Sequence, residues 1–498
     1  MGQAVAAALI AALILPLIAV AWRAEGWAAL PARDWGALWF TLWQAAVSAA
    51  LSVLFAVPVA RALARRHFVG RGVVILLLGA PFILPTLVAV LGLIAVFGRS
   101  GWLGALDLPL YGPQGVILAH VFFNMPLAVR LILQGWLSLP GERLRLAASL
   151  GFTAKDTFRL LEWPMLRAIA PGVFLVIFLI CTMSFAIALA LGGGPRSTTV
   201  ELAIYQAFRF DFDLGRASAL AAIQLAIGAL AALLTFRLAL PSGFGAGLDR
   251  TVRRWDSGGW LRWQDWVAIL AACGFLLMPM AAVLADGVLA VLSLPSSVWW
   301  AALRSLAIAM TAAFATAALA LPMALAVARG RDWVEVAGAL TLTASPLVLG
   351  VGLYLILLPV ANPVALALPV TAGVNVMLAL PFALRALIPA AQDVTGDHGR
   401  LAASLGLSGW TWLRLVGLPR MRRPLGYAMG LTAALSAGDL GVIALFARPG
   451  DATLPLAMYQ LMGSYRLEEA KAAALILVVL ALGLFWVFER GGRHADAR

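Results

Sequence analysis

The chain has 498 residues, of which 63% are hydrophobic and 12% charged, with a mean hydropathy of +0.96. That leaves too little polar surface for a soluble globule and marks a protein that crosses a membrane many times. The formal net charge of +13 does not point to nucleic acid, because the basic residues gather in particular loops between apolar segments.

A membrane span takes about 20 mostly apolar residues. Twelve such segments follow in order, near 3–22, 39–60, 72–97, 114–137, 168–191, 215–236, 265–291, 299–327, 333–359, 364–388, 425–446 and 470–488. No run of alternating strands argues for a barrel, so the expected fold is an all-α polytopic membrane protein. The first segment, Val5 to Val20, is read as a retained span, since no basic residue precedes it as one would in a cleaved signal. The loops 61–71, 139–170, 237–266, 328–334, 389–423 and 489–498 hold 24 Lys and Arg, whereas 23–38, 98–112, 191–214 and 447–471 hold 8. The positive-inside rule then puts both termini in the cytoplasm.

Two of the basic loops are copies of each other. Arg145-Leu146-Ala147-Ala148-Ser149-Leu150-Gly151 returns as Arg400-Leu401-Ala402-Ala403-Ser404-Leu405-Gly406, and Pro164 returns as Pro419. The same offset pairs Pro126 with Pro381, Arg130 with Arg385, and Gly141 with Gly396. Outside the loops, Pro58 with Ala64-Arg65 resembles Pro322 with Ala328-Arg329, and Ala80-Pro81 resembles Ser345-Pro346. The expectation is therefore two six-helix repeats. Six spans is an even number, so the copies share one orientation and are parallel rather than inverted. The first half is 1–240, a glycine-rich linker follows at 241–263, and the second half is 264–498, with repeated loops at 139–164 and 394–419.

Within the first loop, Leu144, Ala147, Ala148 and Leu150 suit one face of a short amphipathic helix, and Gly151 permits a sharp turn. A second short helix from Ala154 to Trp163 is expected to end before Pro164. A duplicated cytoplasmic loop with fixed spacing suggests that both copies bind something of similar shape.

This pattern resembles the EAA loop of membrane subunits of binding-protein-dependent ABC importers. Gly151 and Gly406 match the glycine of that pattern, and Trp163-Pro164 and Leu418-Pro419 match its hydrophobic-Pro end. The resemblance implies a type I importer-like permease in a bacterial inner membrane, with two ATPase subunits on its cytoplasmic side and a periplasmic substrate-binding protein opposite. Docking would fall on Arg145, Leu146, Ala147, Ala148, Gly151 and Pro164, and on Arg400, Leu401, Ala402, Ala403, Gly406 and Pro419. Arg145 and Arg400 stand where the family has glutamate, and Leu146 and Leu401 replace the first alanine. A salt bridge made through that glutamate is therefore not carried over.

Segments 97–103, 111–126, 191–206 and 459–466 resemble the fused two-half permeases for thiamine and thiamine phosphate. Fused ferric-iron permeases share the layout, so iron stays open as the alternative cargo. An ion-coupled secondary transporter is the alternative from another class, and it leaves the repeated loops unexplained.

The only lysines, Lys155 and Lys471, each follow an alanine, so no Walker motif exists and ATP with its Mg is expected on partner subunits. Gly192-Gly193-Gly194-Pro195-Arg196-Ser197-Thr198 imitates a phosphate loop only superficially. His67, His120, His398 and His494 lack metal-ligand spacing, Cys181 and Cys273 are isolated, and no catalytic constellation or cofactor site is expected. Asp439 falls inside the eleventh span, with Ser184 at the matching place in the first half. A carboxylate there faces a water-filled pathway or a partner, shaping a gate or attracting a cationic cargo. Asn124, Asn375 and Asp286 are also intramembrane, where hydrogen bonding between helices would explain them. Ser184, Asp439 and Asn124 are the expected pathway or gate residues.

Overall fold

The computed structural model describes residues 1–24, 30–79, 83–107, 109–237, 255, 258–341, 344–448 and 450–493. The described residues are helical, and ten of their helices are long and apolar enough to cross a membrane. Four of the twelve expected spans are not single helices: 168–191 is interrupted at Met183–Ser184, 425–446 at Gly438–Leu440, and two more divide near a proline. The stretch 72–97 comprises Arg71–Leu77 and Thr86–Phe97, and 333–359 comprises Trp333–Leu340 and Pro346–Leu357. The second piece begins at a proline-marked start in each case, with Pro85 as N-cap of one and Pro346 in the first turn of the other. Proline lacks the amide that would continue a helix through it. The expected pair Ala80-Pro81 lies outside the described residues, as does most of the linker 241–263.

Helix Ala32–Arg65 packs along Pro113–Leu137, and Ser296–Ala328 packs along Ala367–Ser404. Each first partner presents small buried side chains at helical spacing: Thr41, Ala45, Ser48, Ser52 and Ala56 in one, Ser305, Ala309, Ala312, Thr316 and Ala320 in the other. Close backbone approach, rather than a hydrophobic drive, holds such helices together in lipid.

The N-terminal helix Gly2–Arg23 lies mainly on elements that follow the linker, Pro346–Leu357, Ser296–Ala328 and Trp333–Leu340. Helix Trp260–Ala290, which begins inside the expected linker stretch 241–263, lies reciprocally on Thr86–Phe97 and Ala32–Arg65, and also on Leu467–Arg493. Two glycines permit these crossings. A Cβ on Gly92 would stand 2.6 Å from the carbonyl oxygen of Pro279, and one on Gly352 would stand 2.7 Å from the carbonyl carbon of Pro16. The crossings interlock the chain segments on either side of the linker.

Candidate functional site

The first repeated loop forms helix Gly141–Ser149 after Pro140. The second copy has no separate helix there, because Ala367–Ser404 runs straight through it. Thr395 stands where the first copy has Pro140, and its hydroxyl donates to the Ala391 carbonyl at 2.7 Å, so nothing forces a break. Leu144 and Ala147 are buried as expected, but Ala148 and Leu150 are exposed. Leu150 caps the helix, and a position six residues beyond Leu144 lies roughly 120° around it, off the buried face.

Both copies present the same apolar side chains outward. Leu146 and Leu401 are 59% and 58% exposed, and Leu150 and Leu405 are 63% and 65% exposed. The turns also match: Gly151 and Gly406 have φ of +68° and +66°. Phe152 donates its amide to the Ala147 carbonyl at 3.0 Å, and Leu407 donates to Ala402 at 2.9 Å. These bonds close the helix end in a left-handed cap of the kind glycine favours. Arg145 makes an exposed pair with Glu142 at 3.2 Å, and Ala402 is buried. The side chains of Arg400 and Ala403 lie outside the described residues.

The helix expected to stop before Pro164 does not stop. Residues Ala154–Thr157, a π turn at Phe158–Glu162 and helix Trp163–Thr182 run on without interruption. Gly409–Trp412, a π turn at Leu413–Gly417 and Leu418–Ala437 repeat this around Pro419. Trp163 donates to the Phe158 carbonyl and Leu418 to the Leu413 carbonyl, five residues back. The wider turn relieves the clash that each proline would otherwise make with the carbonyl of the preceding turn.

The first π turn is anchored by a buried ion pair, Glu162 Oε2 to Arg61 Nε at 2.6 Å, with the Arg61 guanidinium also over the Phe158 ring. Arg65 and Arg66, on and just beyond the same helix, hold Asp265 at 2.6 and 2.7 Å. The second copy has Gly417 in place of Glu162, and Arg329 lies over the Trp412 ring instead. Linker residue Trp255 donates its indole N–H to the Phe152 carbonyl at 2.9 Å, so the linker touches the first loop.

A cavity of about 570 Å³ is lined by Ser184, Asp439 and Asn124 among others. Its size falls in the range of small-molecule sites. Two helix interruptions face it. One, Met183–Ser184, separates Trp163–Thr182 from Phe185–Leu191, and the other, Gly438–Leu440, separates Leu418–Ala437 from Gly441–Phe446. Carbonyls freed at the first are taken by Gln44, donating to Cys181 at 3.0 Å, and Gln224, donating to Thr182 at 2.8 Å. Non-helical backbone is tolerated at membrane depth where it is satisfied in this way or lines a cavity.

Asn124 donates to the His120 carbonyl at 2.9 Å and to Cys181 Sγ at 3.3 Å, tying its helix to the first interruption. Asn375 does the same at the second, donating to Ser436 Oγ at 2.8 Å. Asp439 Oδ1 accepts the Gly441 amide at 3.3 Å, while Oδ2 has no partner. Gly438 sits against Pro85, where a Cβ would stand 2.8 Å from the proline Cβ.

No family model matches the chain. The thiamine transport system permease proteins ThiP of Brucella abortus (strain 2308), Salmonella typhimurium and Escherichia coli (strain K12) are 41%, 40% and 39% identical to it, over 475, 504 and 507 residues. These alignments cover 92%, 94% and 96% of this chain and 87%, 93% and 94% of those proteins. The chain belongs to the thiamine transport system permease family. It is therefore a multi-pass membrane subunit, the non-catalytic permease component of a transport system.

Sequence reasoning passed over several residues that the permease brings to its cavity: Glu201, His120, Arg130, Arg385 and Tyr427. Arg130 and Arg385 carried a usable signal, being repeat partners inside spans. Glu201 carried none, since helix Val200–Arg209 is too short to read as a span. It is buried because that helix turns back into the permease, where Ser345 Oγ donates to its carboxylate.

Proposed function

We propose that this permease is the transmembrane subunit of an ATP-driven ABC importer for thiamine and its phosphate esters. The observation that carries the reading is the identity of about 40% to thiamine transport system permeases over more than nine-tenths of the chain. The protein comprises two parallel six-helix repeats, 1–240 and 264–498, joined by the linker 241–263. It lies in a bacterial inner membrane with both termini cytoplasmic. The charge bias of the loops and the shared 255-residue spacing of the two π turns support this arrangement.

Two ATPase subunits dock at 139–164 and 394–419, bringing ATP and Mg. The outward leucines Leu146, Leu150, Leu401 and Leu405 support apolar docking there, since matched exposed apolar side chains suit a partner surface. A periplasmic binding protein delivers cargo to the opposite face. Closure of the ATPases biases the permease between outward- and inward-open states, because they bind ATP differently in the two states. Cargo passes through the cavity at Asn124, Ser184 and Asp439. Arg130 and Arg385 in the same cavity suit the anionic end of the phosphate esters.

Reconstituted with the ATPase and binding protein in liposomes, the permease is expected to accumulate labelled thiamine only when ATP is supplied. Accumulation without ATP but with an ion gradient would instead indicate a secondary transporter.

A further inference from the structure

Three polar side chains line the cavity apart from the docking loops. Glu201, 1% exposed, stands in the first turn of Val200–Arg209. Asp439 stands at the second helix interruption with Oδ2 unpartnered. His120, also 1% exposed, has Nδ1 against Ser48 Oγ at 3.4 Å and an unpartnered Nε2. The two carboxylates come from distant parts of the chain and line the same cavity in the folded permease.

A buried carboxylate is costly without a compensating group. The cavity's arginines do not fill that place. Arg130 is ten residues beyond His120 on one helix, roughly 15 Å along its axis. It lies toward the loop read as cytoplasmic, with Arg385 at the matching position of the other half. Within that helix the imidazole and the guanidinium thus stand well apart along the cavity wall.

We propose that Glu201, Asp439 and His120 form a cation subsite that the cargo occupies in transit. The two carboxylates face the permanent positive charge of a thiazolium ring. In the tautomer whose Nδ1–H donates to Ser48 Oγ, the imidazole has an accepting Nε2, which suits the exocyclic amine of the attached pyrimidine. Selection of cargo is then shared by the permease and not left to the delivering protein alone. This inference rests on the thiamine reading above.

The test measures thiamine moved per ATP hydrolysed by the permease–ATPase–binding protein complex in liposomes. Glu201→Gln and Asp439→Asn should each lower that ratio by about tenfold or more, the loss expected for a charge-assisted contact. Asp439→Glu, which keeps the charge, should restore most of it. A purely structural role would reduce uptake and ATP hydrolysis together and leave the ratio unchanged, which would overturn the inference. A second measurement needs no variant. An uncharged isostere, with carbon in place of the thiazolium nitrogen, should move at least about tenfold less well per ATP than thiamine when both saturate the binding protein. Equal transport of the two would also overturn the inference. A wild-type complex that moves no thiamine would overturn both the inference and the reading beneath it.

Discussion

Ser345 Oγ donates a hydrogen bond to the buried carboxylate of Glu201, joining the starts of Pro346–Leu357 and Val200–Arg209 across the cavity. The same oxygen accepts the Leu347 amide at 3.2 Å, so one hydroxyl caps a helix and holds a carboxylate. Ser345→Ala leaves that carboxylate short of a donor, at a cost of about 1–3 kcal/mol. The expected result is a lower melting temperature for the purified permease in detergent, with Ser345→Thr close to wild type. Superimposable melting curves for wild type and Ser345→Ala would show that the bond contributes nothing.

Gly151 and Gly406 share a left-handed conformation, and no atom lies within 4 Å of a Cβ added at either. Glycine is needed there for the backbone, not for space. Valine at either position should strain the turn by about 1–2 kcal/mol, whereas asparagine tolerates the conformation. The double valine variant should insert into the membrane normally yet lose ATPase subunit on affinity purification, and the double asparagine variant should retain it. Equal retention by both would mean that the turns do not shape the docking surface.

Glu162 and Arg61 are paired with the carboxylate fully buried. Removing one partner of such a pair typically costs about 3–5 kcal/mol, while replacing both with apolar groups of similar size can be neutral. Glu162→Gln should therefore weaken ATPase association more than the double change Arg61→Met with Glu162→Leu. The reverse order would show that the pair acts through its charge and not through the fold of the loop.

Asp156 closes a capping box with Thr153, accepting its hydroxyl at 2.6 Å and its amide at 3.0 Å. Those bonds hold the Asp156 carboxyl below the ordinary carboxylate range. A depressed folded value means the contribution is fully present above the unfolded pKa and is lost as pH falls through the folded one. Hydrogen exchange at 154–157, corrected for intrinsic rates, should hold steady from neutral pH to the ordinary carboxylate range and then lose protection. Ser408 makes no side-chain cap, so 409–412 should lack this step. Thr153→Val removes the hydroxyl and leaves the amide bond, so it should shrink the step in the first loop and move it toward the ordinary carboxylate range.

Ten of the twelve expected spans were legible because lipid demands long apolar helices, whereas 72–97 and 333–359 gave shorter pieces. The loop pattern was legible in its glycines and prolines, but not in its helix boundaries. A proline normally ends a helix, and nothing in the residues around Pro164 announces the π turn that accommodates it. Leu150 was misplaced because four apolar positions were assigned to one face when the helix ends at the last of them. Glu201 was hidden for a different reason. Its burial depends on a short helix folding back against Ser345, 144 positions away in the chain, and no local pattern records that contact.

The proposed inward transport of thiamine by this permease, with separate ATPase and binding-protein subunits, can be tested in cells. Uptake of labelled thiamine and of labelled ferric iron, in cells carrying or lacking the gene with partner subunits present, tests it most directly. Thiamine uptake should depend on the gene and iron uptake should not. Gene-dependent iron uptake with thiamine uptake unchanged would contradict the account.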